Sequence, residues 1–468
     1  MADKESIVPI GNIFSQFSDI SKEFVEGMIK EDIAVLCINR EERKKRSMPF
    51  KALYDNNNQF WLQKGKWEYV LPEKCFEDIK EKVLNSIPGG WKPPDLSVIK
   101  KESVDVNHGY GNGYKDISAM SNEERVEKIN KFSHQLSDLI SKKNKTPEKV
   151  TEALVETTKS AAVINHTTIL NAMQLADDEA KKTTQSLVTS TCDMVKSTVH
   201  LVAENLLNDN LMNTLVEKSN GTIVQHMTRT YLTGLSFLTY YNKLVSTSST
   251  INKIRINVER KYSRFYCALM PELHRKHLTL EKIFYGGMRA IPYEVLHLWA
   301  VGFLIHDIGK ASSVEYHEGE EAYNRDIVVE HVNIGYNSIM NKTNYPKEAG
   351  LIAGYHHEYY GDNSGYGFFR TYLESYKKVN PNARQDFFIS YELEPMIDYK
   401  AKAFFPAKVL EIIDIYDSVT DPNRKYRKAL NPEEALIMMR EEFINKHLKI
   451  DPLLFDIFVA FIREKEKK

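Results

Sequence analysis

The chain has 468 residues, of which 42% are hydrophobic and 27% are charged, and its formal net charge is −1. This length predicts about two to four domains, and the composition is typical of a globular protein with a buried core. A nearly neutral chain has no broad basic surface for a DNA or RNA polymer. Any anionic ligand would therefore be held by a local site.

The 4 cysteines are far apart and include no Cys-x-x-Cys pair. This argues against a disulfide scaffold or a thiolate zinc site and favours a reducing compartment. The first residues, MADKESIVPIG, lack the basic and apolar regions of a signal peptide. No apolar run reaches the roughly 18 residues that a membrane-spanning helix needs. We therefore expect a cytoplasmic protein without membrane insertion.

Residues 1–90 have a mixed α and β pattern, which predicts a small α+β N-terminal domain. Ile33–Ile38 is an apolar run of strand length, and Phe60–Leu71 predicts a hairpin with its turn at Lys64-Gly65. Pro72 opens a helix that ends at Pro88. A regulatory role for this N-terminal domain is inferred from its position alone. The apolar face of the helix consists of Phe76, Ile79, Val83 and Ile87.

Residues 91–120 are predicted to be a linker, because they contain Pro93-Pro94, a charged stretch and the glycine-rich NHGYGNGYKD. No apolar strand precedes these glycines and no Lys-Ser/Thr follows them, which argues against a phosphate loop. Residues 121–220 form a polar, threonine-rich helical connecting region. Two interpretations of this region are equally supported: regulatory helices that could form a homodimer, or a packing layer for the next domain.

The chemically informative part begins at Leu296. The segment LHLWAVGFLIHDIGK is almost unbroken in its apolar character, which predicts a buried helix ending in His306-Asp307. Burying histidine beside aspartate is costly unless both are paired or bind a metal. Lys310 lies four residues after His306 and is expected on the same helix face, where a cation suits a phosphate ligand.

Four further histidines follow: His317, His331, His356 and His357. The last two are adjacent and are predicted to end a short helix opened by Pro346. Adjacent helical side chains point about 100° apart, so these two cannot easily share one packed core but can both reach a metal beyond the helix end. The glycine-rich loop GDNSGYGFF comes next and suits a rim where backbone approaches a ligand.

A late helix opened by Pro406, FFPAKVLEIIDIYDSVTD, places Asp414 among apolar residues and makes it a candidate metal ligand. We assign Asp417, one turn later, a structural hydrogen bond. The basic segment DPNRKYRKAL is as consistent with phosphate binding as with a solvated surface. Imidazole and carboxylate ligands without thiolate suit Fe(II) or Mn(II), with Zn, Co and Ni also compatible.

The motifs HDIGK, a spaced histidine, HHE, a GY loop and a helix with Asp-x-x-Asp occur here in one order. Over residues 221–440 this order resembles the HD-GYP subgroup of the HD superfamily. The resemblance implies an all-helical catalytic domain spanning 221–468. It also implies hydrolysis of cyclic di-GMP to pGpG or GMP with two divalent ions, most commonly iron or manganese.

The resemblance further implies a role for each motif residue. Asp307 would bridge both ions, and His226 matches the histidine that precedes the HD pair on its own helix. The first ion would be held by His226, His306, Asp307 and Asp414, and the second by Asp307, His331, His356 and His357. The implied catalytic residues are Asp307 and Lys310. The implied substrate-binding residues are Lys310, Gly365, Tyr366, Arg424, Tyr426 and Arg427.

Two departures from the family pattern concern the loop and the first histidine. The GYP signature reads Gly365-Tyr366-Gly367, so the loop is expected to be more flexible. An insertion near 246–285 lengthens the gap after His226, which leaves His274 and His277 as alternatives for the first ligand.

A third departure concerns the number of metals. Thr222 stands where some members have a glutamate ligand, which implies two ions rather than three, with His317 at the rim. Two alternative functions stay open: another HD-superfamily nucleotide phosphohydrolase, and a non-catalytic effector that binds cyclic di-GMP.

Overall fold

The protein is mainly α-helical, as the sequence predicts, with a few short strands. The structure is a computed structural model. The residues that it describes are 7–9, 21–39, 44–50, 67–86, 117, 119–142, 146–204, 223–270, 273, 277–311, 325–361, 365–367, 382, 384–422 and 428–466.

An antiparallel four-stranded sheet and two helices form the N-terminal α+β unit. The strand order is β1-β4-β2-β3, and helices α1 and α2 pack together through Phe24 and Phe76, whose ring centroids are 6.5 Å apart. The elements are β1 (Ile7–Pro9), α1 (Ser21–Lys30), β2 (Ala34–Asn39), β3 (Lys44–Pro49), β4 (Trp67–Pro72) and α2 (Glu73–Ser86).

The sequence located two of these elements. The strand predicted at Ile33–Ile38 is β2, and the helix predicted after Pro72 is α2, which buries Phe76, Ile79 and Val83. Only the second half of the predicted hairpin Phe60–Leu71 lies among the described residues. There, β4 pairs with β1 and β2. Ile87 and nearly all of the predicted linker lie outside the described residues.

Long helices form the rest of the described fold. They are α3 (Asn122–Ser141), α4 (Pro147–Met173), α5 (Asp177–Glu204), α6 (Ile223–Val245), α7 (Ser248–Leu269), α8 (Tyr293–Ile305), α9 (Arg325–Lys342), α10 (Lys347–Tyr355), α11 (Phe405–Thr420), α12 (Pro432–Arg440) and α13 (Pro452–Glu466). Single helical turns occur at Leu280–Ile283 and Glu394–Ile397, a 3-10 turn at Ile308–Ala311 and a π-helical turn at Glu441–Asn445.

Local sequence explains where several of these helices begin. Ser121 and Glu124 form a reciprocal capping box at the start of α3, and Asn431 and Glu434 do the same for α12. Each box satisfies backbone N–H groups that the first helical turn leaves without partners. Pro346 is the N-cap residue of α10 and Pro406 is the second residue of α11, so a proline marks the start of each helix, as predicted.

Helices α4 and α5 pack against α6, α8 and α9, in addition to packing on each other and on α3. This part of the predicted connecting region is therefore a packing layer for the helices that carry the site described below. A regulatory or dimerising role for the same helices stays a prediction.

The expectation of an all-helical domain over 221–468 is wrong in one place. Strands β5 (Phe387–Ser390) and β6 (Ala401–Phe404) pair in parallel, and Phe284 forms an isolated bridge with Ile389. Their sequences, FFIS and AKAF, are short and mostly buried. Neighbouring extended segments then satisfy one another's backbone hydrogen bonds.

The predicted insertion near 246–285 contains helix α7 and the turn Leu280–Ile283. Helix α7 packs against α6 and α13. Among the described helices, none is both long enough and apolar enough to cross a bilayer.

Candidate metal centre

The structure brings together every side chain that the sequence analysis assigned to the two ions. They form two groups of four that share Asp307, and within each group the potential ligand atoms lie within 4.8 Å of one another. The first group is His226, His306, Asp307 and Asp414, and the second is Asp307, His331, His356 and His357. All are buried, and each group could hold a metal ion.

The side chains reach this point from helix faces and helix ends. Helices α6, α9 and α11 carry His226, His331 and Asp414 on their faces. Helices α8 and α10 end immediately before His306 and His356, so that the adjacent residues turn towards the same centre. The buried apolar helix predicted from LHLWAVGFLI is α8, and it contacts α6 and α10 directly.

The predicted position of Lys310 needs correction. Helix α8 ends at Ile305, so Lys310 does not share a helix face with His306. The chain continues into the 3-10 turn, which winds about three residues per turn. Lys310 Nζ donates instead to Asp307 Oδ2, at 2.5 Å. The cation therefore compensates the carboxylate that both groups share.

The two oxygens of Asp307 face different groups. Oδ2 lies 3.2 Å from His226 Nε2 and 3.5 Å from His306 Nε2. Oδ1 lies 3.2 Å from His331 Nε2 and 3.7 Å from His356 Nε2. With one oxygen towards each group, Asp307 could contribute a ligand atom to both cations.

Hydrogen bonds at Nδ1 orient three of the histidines. The Nδ1 atoms of His306 and His356 contact the main-chain oxygens of Phe303 and Ala353, at 2.9 and 2.8 Å. His226 Nδ1 lies 2.7 Å from Asp417 Oδ2. When Nδ1 donates to such an acceptor, the lone pair on Nε2 is left for a metal.

Several atoms at the centre have no hydrogen-bond partner among the described residues: Nε2 of His226, His306 and His357, and Oδ1 of Asp307 and Asp414. His226 Nε2 and Asp414 Oδ1 are 2.8 Å apart, but their contact lacks hydrogen-bond geometry. Buried polar atoms are normally satisfied, and a cation between these convergent donors would satisfy them. The residues present therefore fit a divalent metal.

Asp417 makes the structural hydrogen bond that the sequence analysis assigned to it. It also accepts from Arg229 Nε at 2.6 Å and from Arg229 Nη2 at 2.9 Å, and Nη2 also donates to Asp421 at 2.7 Å. Arg229 and Asp421 were not predicted from the sequence. The spacing of three and four residues between Asp414, Asp417 and Asp421 on one helix was an available signal.

Lys408 is another missed residue. Its Nζ is buried on α11, donates to the main-chain oxygen of Glu358 and pairs with Glu411 Oε2 at 2.9 Å. Glu358 directly follows His357. Lys408 therefore ties the helix that carries Asp414 to the turn that carries the histidine pair.

Burial and charge set the protonation of the centre. Burial lowers the pKa of His306 to about 3 and also lowers the pKa of His331 and His357. Burial opposes the charge of His226 as well, but the nearby carboxylates of Asp307, Asp414 and Asp417 outweigh it and raise its pKa. Burial likewise opposes the charge of Asp307, yet Lys310 and His306 hold the pKa of that carboxyl well below its usual range. The neutral imidazoles of His306, His331 and His357 and the ionised carboxylate of Asp307 are the states that metal binding needs, whereas His226 would release a proton when a metal binds.

The loop Gly365–Gly367 lies against the histidine pair. Tyr366 N donates to His357 O at 2.9 Å, and the two rings have centroids 4.7 Å apart. A Cβ atom on Gly367 would lie 1.9 Å from Cγ of Glu358, so the glycine leaves room that Glu358 occupies. Glycine in place of proline thus has a packing reason, while the expected flexibility stays a prediction.

Other predicted residues are not at the centre or are not described. His277 is exposed and belongs to neither group. The remaining ones, which lie outside the described residues, are Arg424, Tyr426, Arg427, His274 and His317.

No protein-family model, curated protein or solved structure significantly matches this chain. The fold and the site themselves define a class: a mainly α-helical protein with a buried histidine and aspartate centre that could hold metal.

Proposed function

We propose that this chain is a cytoplasmic, metal-dependent phosphodiesterase of the HD-GYP type, which hydrolyses cyclic di-GMP to pGpG or GMP. The proposal depends on one observation: Asp307 belongs to both groups of imidazole and carboxylate donors. A donor set of this kind, without thiolate, suits two iron or manganese ions.

Two divalent ions held there would activate water and polarise the phosphodiester. Hydrolysis breaks one P–O bond: phosphorus gains a hydroxyl group and the leaving ribose oxygen gains a proton. Lys310 is 9% exposed and donates to Asp307, so its ammonium group lies beside the carboxylate that both groups share, where the phosphate would bind. The ammonium group then stabilises the negative charge that grows at phosphorus.

The rim supplies contacts for the rest of the nucleotide. Tyr366 is partly exposed beside His357 and offers an aromatic face on which a base can stack. Gly365 brings backbone close to the same place. A cyclic dinucleotide has a second phosphate, and the basic segment that contains Arg424, Tyr426 and Arg427 is the proposed contact for it.

The test is anaerobic purification with metal analysis, followed by product analysis on cyclic di-GMP. We expect about two Fe or Mn ions per chain and release of pGpG or GMP. The variants Asp307→Ala and His306→Ala should stay folded by circular dichroism and lose both metal and turnover. Asp456→Ala is the matched control, because Asp456 pairs with Arg440 and Tyr262 and belongs to neither group.

Full hydrolysis by a folded, metal-free Asp307→Ala variant would contradict the proposal. A substrate panel separates the two alternatives. Rapid cleavage of mononucleotides with cyclic di-GMP untouched would indicate another HD-superfamily phosphohydrolase. Tight binding without hydrolysis under anaerobic Fe(II) or Mn(II) would indicate an effector.

A further inference from the structure

Lys408 is a buried cation beside the turn that follows α10. The residue lies on α11 and is 1% exposed. Its Nζ atom donates to the main-chain oxygen of Glu358 and to the two carboxyl oxygens of Glu411, at 3.2 and 2.9 Å. It also lies 4.3 Å from the centroid of the Tyr360 ring, within the range of a cation–π contact. The ammonium group therefore has partners for its three N–H donors.

Packing alone does not explain a lysine at this position. Burial of an ammonium group costs free energy, and an apolar side chain of similar shape often packs as well or better. What an apolar side chain cannot do is donate to the Glu358 carbonyl. The contact with that carbonyl therefore distinguishes Lys408 from a residue that only fills the core.

The carbonyl belongs to the turn that carries two proposed metal ligands. Helix α10 ends at Tyr355, and His356, His357 and Glu358 follow it directly. Glu358 N donates to Tyr355 O at 3.1 Å, so the turn continues from the helix. Carbonyls at and beyond a helix end have no partner within the helix, and a lysine there satisfies one of them and complements the helix dipole.

The rim loop contacts the same turn. Tyr366 N donates to His357 O at 2.9 Å, and a Cβ atom on Gly367 would lie 1.9 Å from Cγ of Glu358. The turn is thus in contact both with the loop Gly365–Gly367 and with Lys408. A shift of the Glu358 peptide would move the histidine that precedes it and the loop that packs on it.

The chain after the turn is attached to the segment before α13. Tyr360 N donates to Lys449 O at 3.1 Å, and Gly361 N donates to Leu448 O at 2.8 Å. The Tyr360 hydroxyl donates to Asp451 Oδ2 at 3.3 Å. Lys408 therefore holds the turn between α10 on one side and this attachment on the other.

We propose that Lys408 is a positioning residue, which holds the Glu358 carbonyl so that His356 and His357 face the second group of ligands. The inference rests on the proposed metal centre. It gives α11 a role at both ions, because the same helix supplies Asp414 to the first group.

The test compares variants of the full chain that remove and restore the donor. Lys408→Met keeps the length of the side chain without its charge or N–H groups. Lys408→Arg keeps the charge, and Lys408→Gln keeps an N–H donor alone. If Lys408→Met does not fold, Glu411→Leu is added to it, because an apolar replacement of both partners of a buried pair is often tolerated.

Lys342→Met is the matched control. Lys342 Nζ also donates to a main-chain carbonyl, that of Leu175 at 2.7 Å, and pairs with Asp177 at 2.8 Å. It belongs to neither group of ligands. His331→Ala gives a reference for loss of the second group, since it removes a ligand that the first group does not use.

Two properties are measured: the stepwise affinity for Mn(II) by isothermal titration, and the electron paramagnetic resonance spectrum, which distinguishes a coupled Mn(II) pair from an isolated ion. We expect two steps and a coupled spectrum in the wild type. Lys408→Met should weaken one step about 10- to 100-fold, as loss of other outer contacts around metal sites does, and leave the other unchanged.

At a Mn(II) concentration that fills only the stronger step, the Lys408→Met spectrum should match that of His331→Ala. Turnover of cyclic di-GMP should fall in parallel. Lys408→Arg or Lys408→Gln should recover the weakened step and the coupled spectrum, and Lys342→Met should match the wild type.

Three results would overturn the positioning role. The first is wild-type affinity for both ions and a coupled spectrum in folded Lys408→Met. The second is an equal weakening of both steps that follows loss of thermal stability in the Met, Arg and Gln variants, because that pattern describes packing alone. The third is failure of Lys408→Met to fold both with and without Glu411→Leu, which would assign Lys408 to folding.

The proposed function and this inference fail in distinguishable ways. A wild-type chain that binds no Mn(II) overturns both. A wild type that binds two Mn(II) ions but leaves cyclic di-GMP intact overturns the proposed substrate, while the two binding steps still decide the role of Lys408. An active wild type beside an unaffected, folded Lys408→Met overturns this inference alone.

Discussion

At the residue scale, the metal centre depends on a carboxylate that contacts one of the proposed histidine ligands. Asp417 contacts His226 Nδ1 and forms two hydrogen bonds with Arg229. Asp417→Asn keeps the shape of the side chain but removes its charge and one acceptor. We expect metal affinity to fall about 10- to 100-fold, since His226 loses its orienting partner. Isothermal titration with Mn(II) measures this.

The control for Asp417→Asn is Asp456→Asn, another aspartate paired with an arginine but outside both groups. It should leave Mn(II) affinity unchanged. Equal affinity in Asp417→Asn and the wild type would show that His226 needs no orienting carboxylate.

Asp451 gives a prediction about pH. It is 0% exposed, and burial raises the pKa of Asp451 from 3.8 to about 6 despite hydrogen bonds from Leu454 N and Tyr266. The folded state therefore binds a proton more tightly than the unfolded state does. Stability from this group is complete below the unfolded pKa and declines as pH rises through the folded pKa.

Asp451→Asn cannot ionise, so its stability relative to the wild type should increase by about 2 kcal/mol from pH 4.5 to pH 7. The asparagine oxygen can still accept from Leu453 N and Leu454 N, the bonds that start α13. Urea unfolding at the two pH values measures the difference. A difference between the two proteins that does not change with pH would contradict the raised pKa.

At the element scale, the 3-10 turn and α9 meet at two glycines with different requirements. A Cβ on Gly309 would lie 1.9 Å from His331 O, whereas the nearest atom to a Cβ on Gly335 would be 3.5 Å away. Gly309→Ala should therefore push the turn off α9, destabilise the fold by about 1–3 kcal/mol and weaken metal binding at His331. Chemical denaturation and Mn(II) titration test both effects.

Gly335→Ala is the matched control on the other side of this contact. It fills ordinary van der Waals space, and alanine favours the helix by up to about 1 kcal/mol over glycine. Stability should be unchanged or higher, with metal affinity retained. If the two alanine variants behave alike, the close backbone approach at Gly309 does not control the centre.

At the scale of the whole molecule, metal binding should stabilise the helices that supply ligands. An ion present at 100 times its Kd stabilises the folded state by about 2.7 kcal/mol. On addition of Mn(II), amide hydrogen exchange should slow in α6, α8, α9, α10 and α11. Helices α1 and α2, which pack on each other, should be unaffected and serve as the internal control.

Asp307→Asn should abolish this slowing, because the shared carboxylate loses its charge. Slower exchange that spreads evenly over the N-terminal unit, or no slowing at all, would argue against a centre confined to the helical part of the chain.

The sequence by itself determined the local elements and the types of donor. An unbroken apolar run predicts helix α8, and prolines mark the starts of α10 and α11, because these signals act within a few residues. The sequence also predicts that His306-Asp307 and His356-His357 stand at the ends of two helices. Motif order also led to His226, although spacing alone left His274 and His277 open.

Only the tertiary structure decided which side chains meet and which partners orient them. His226 and Asp417 are 191 residues apart in sequence, and no local pattern specifies their 2.7 Å contact. The pairing of Arg229 with Asp417, 188 residues away in sequence, depends likewise on packing between distant helices. Local propensity fixes where a helix starts and ends, but the burial of its faces against other helices fixes what its side chains contact.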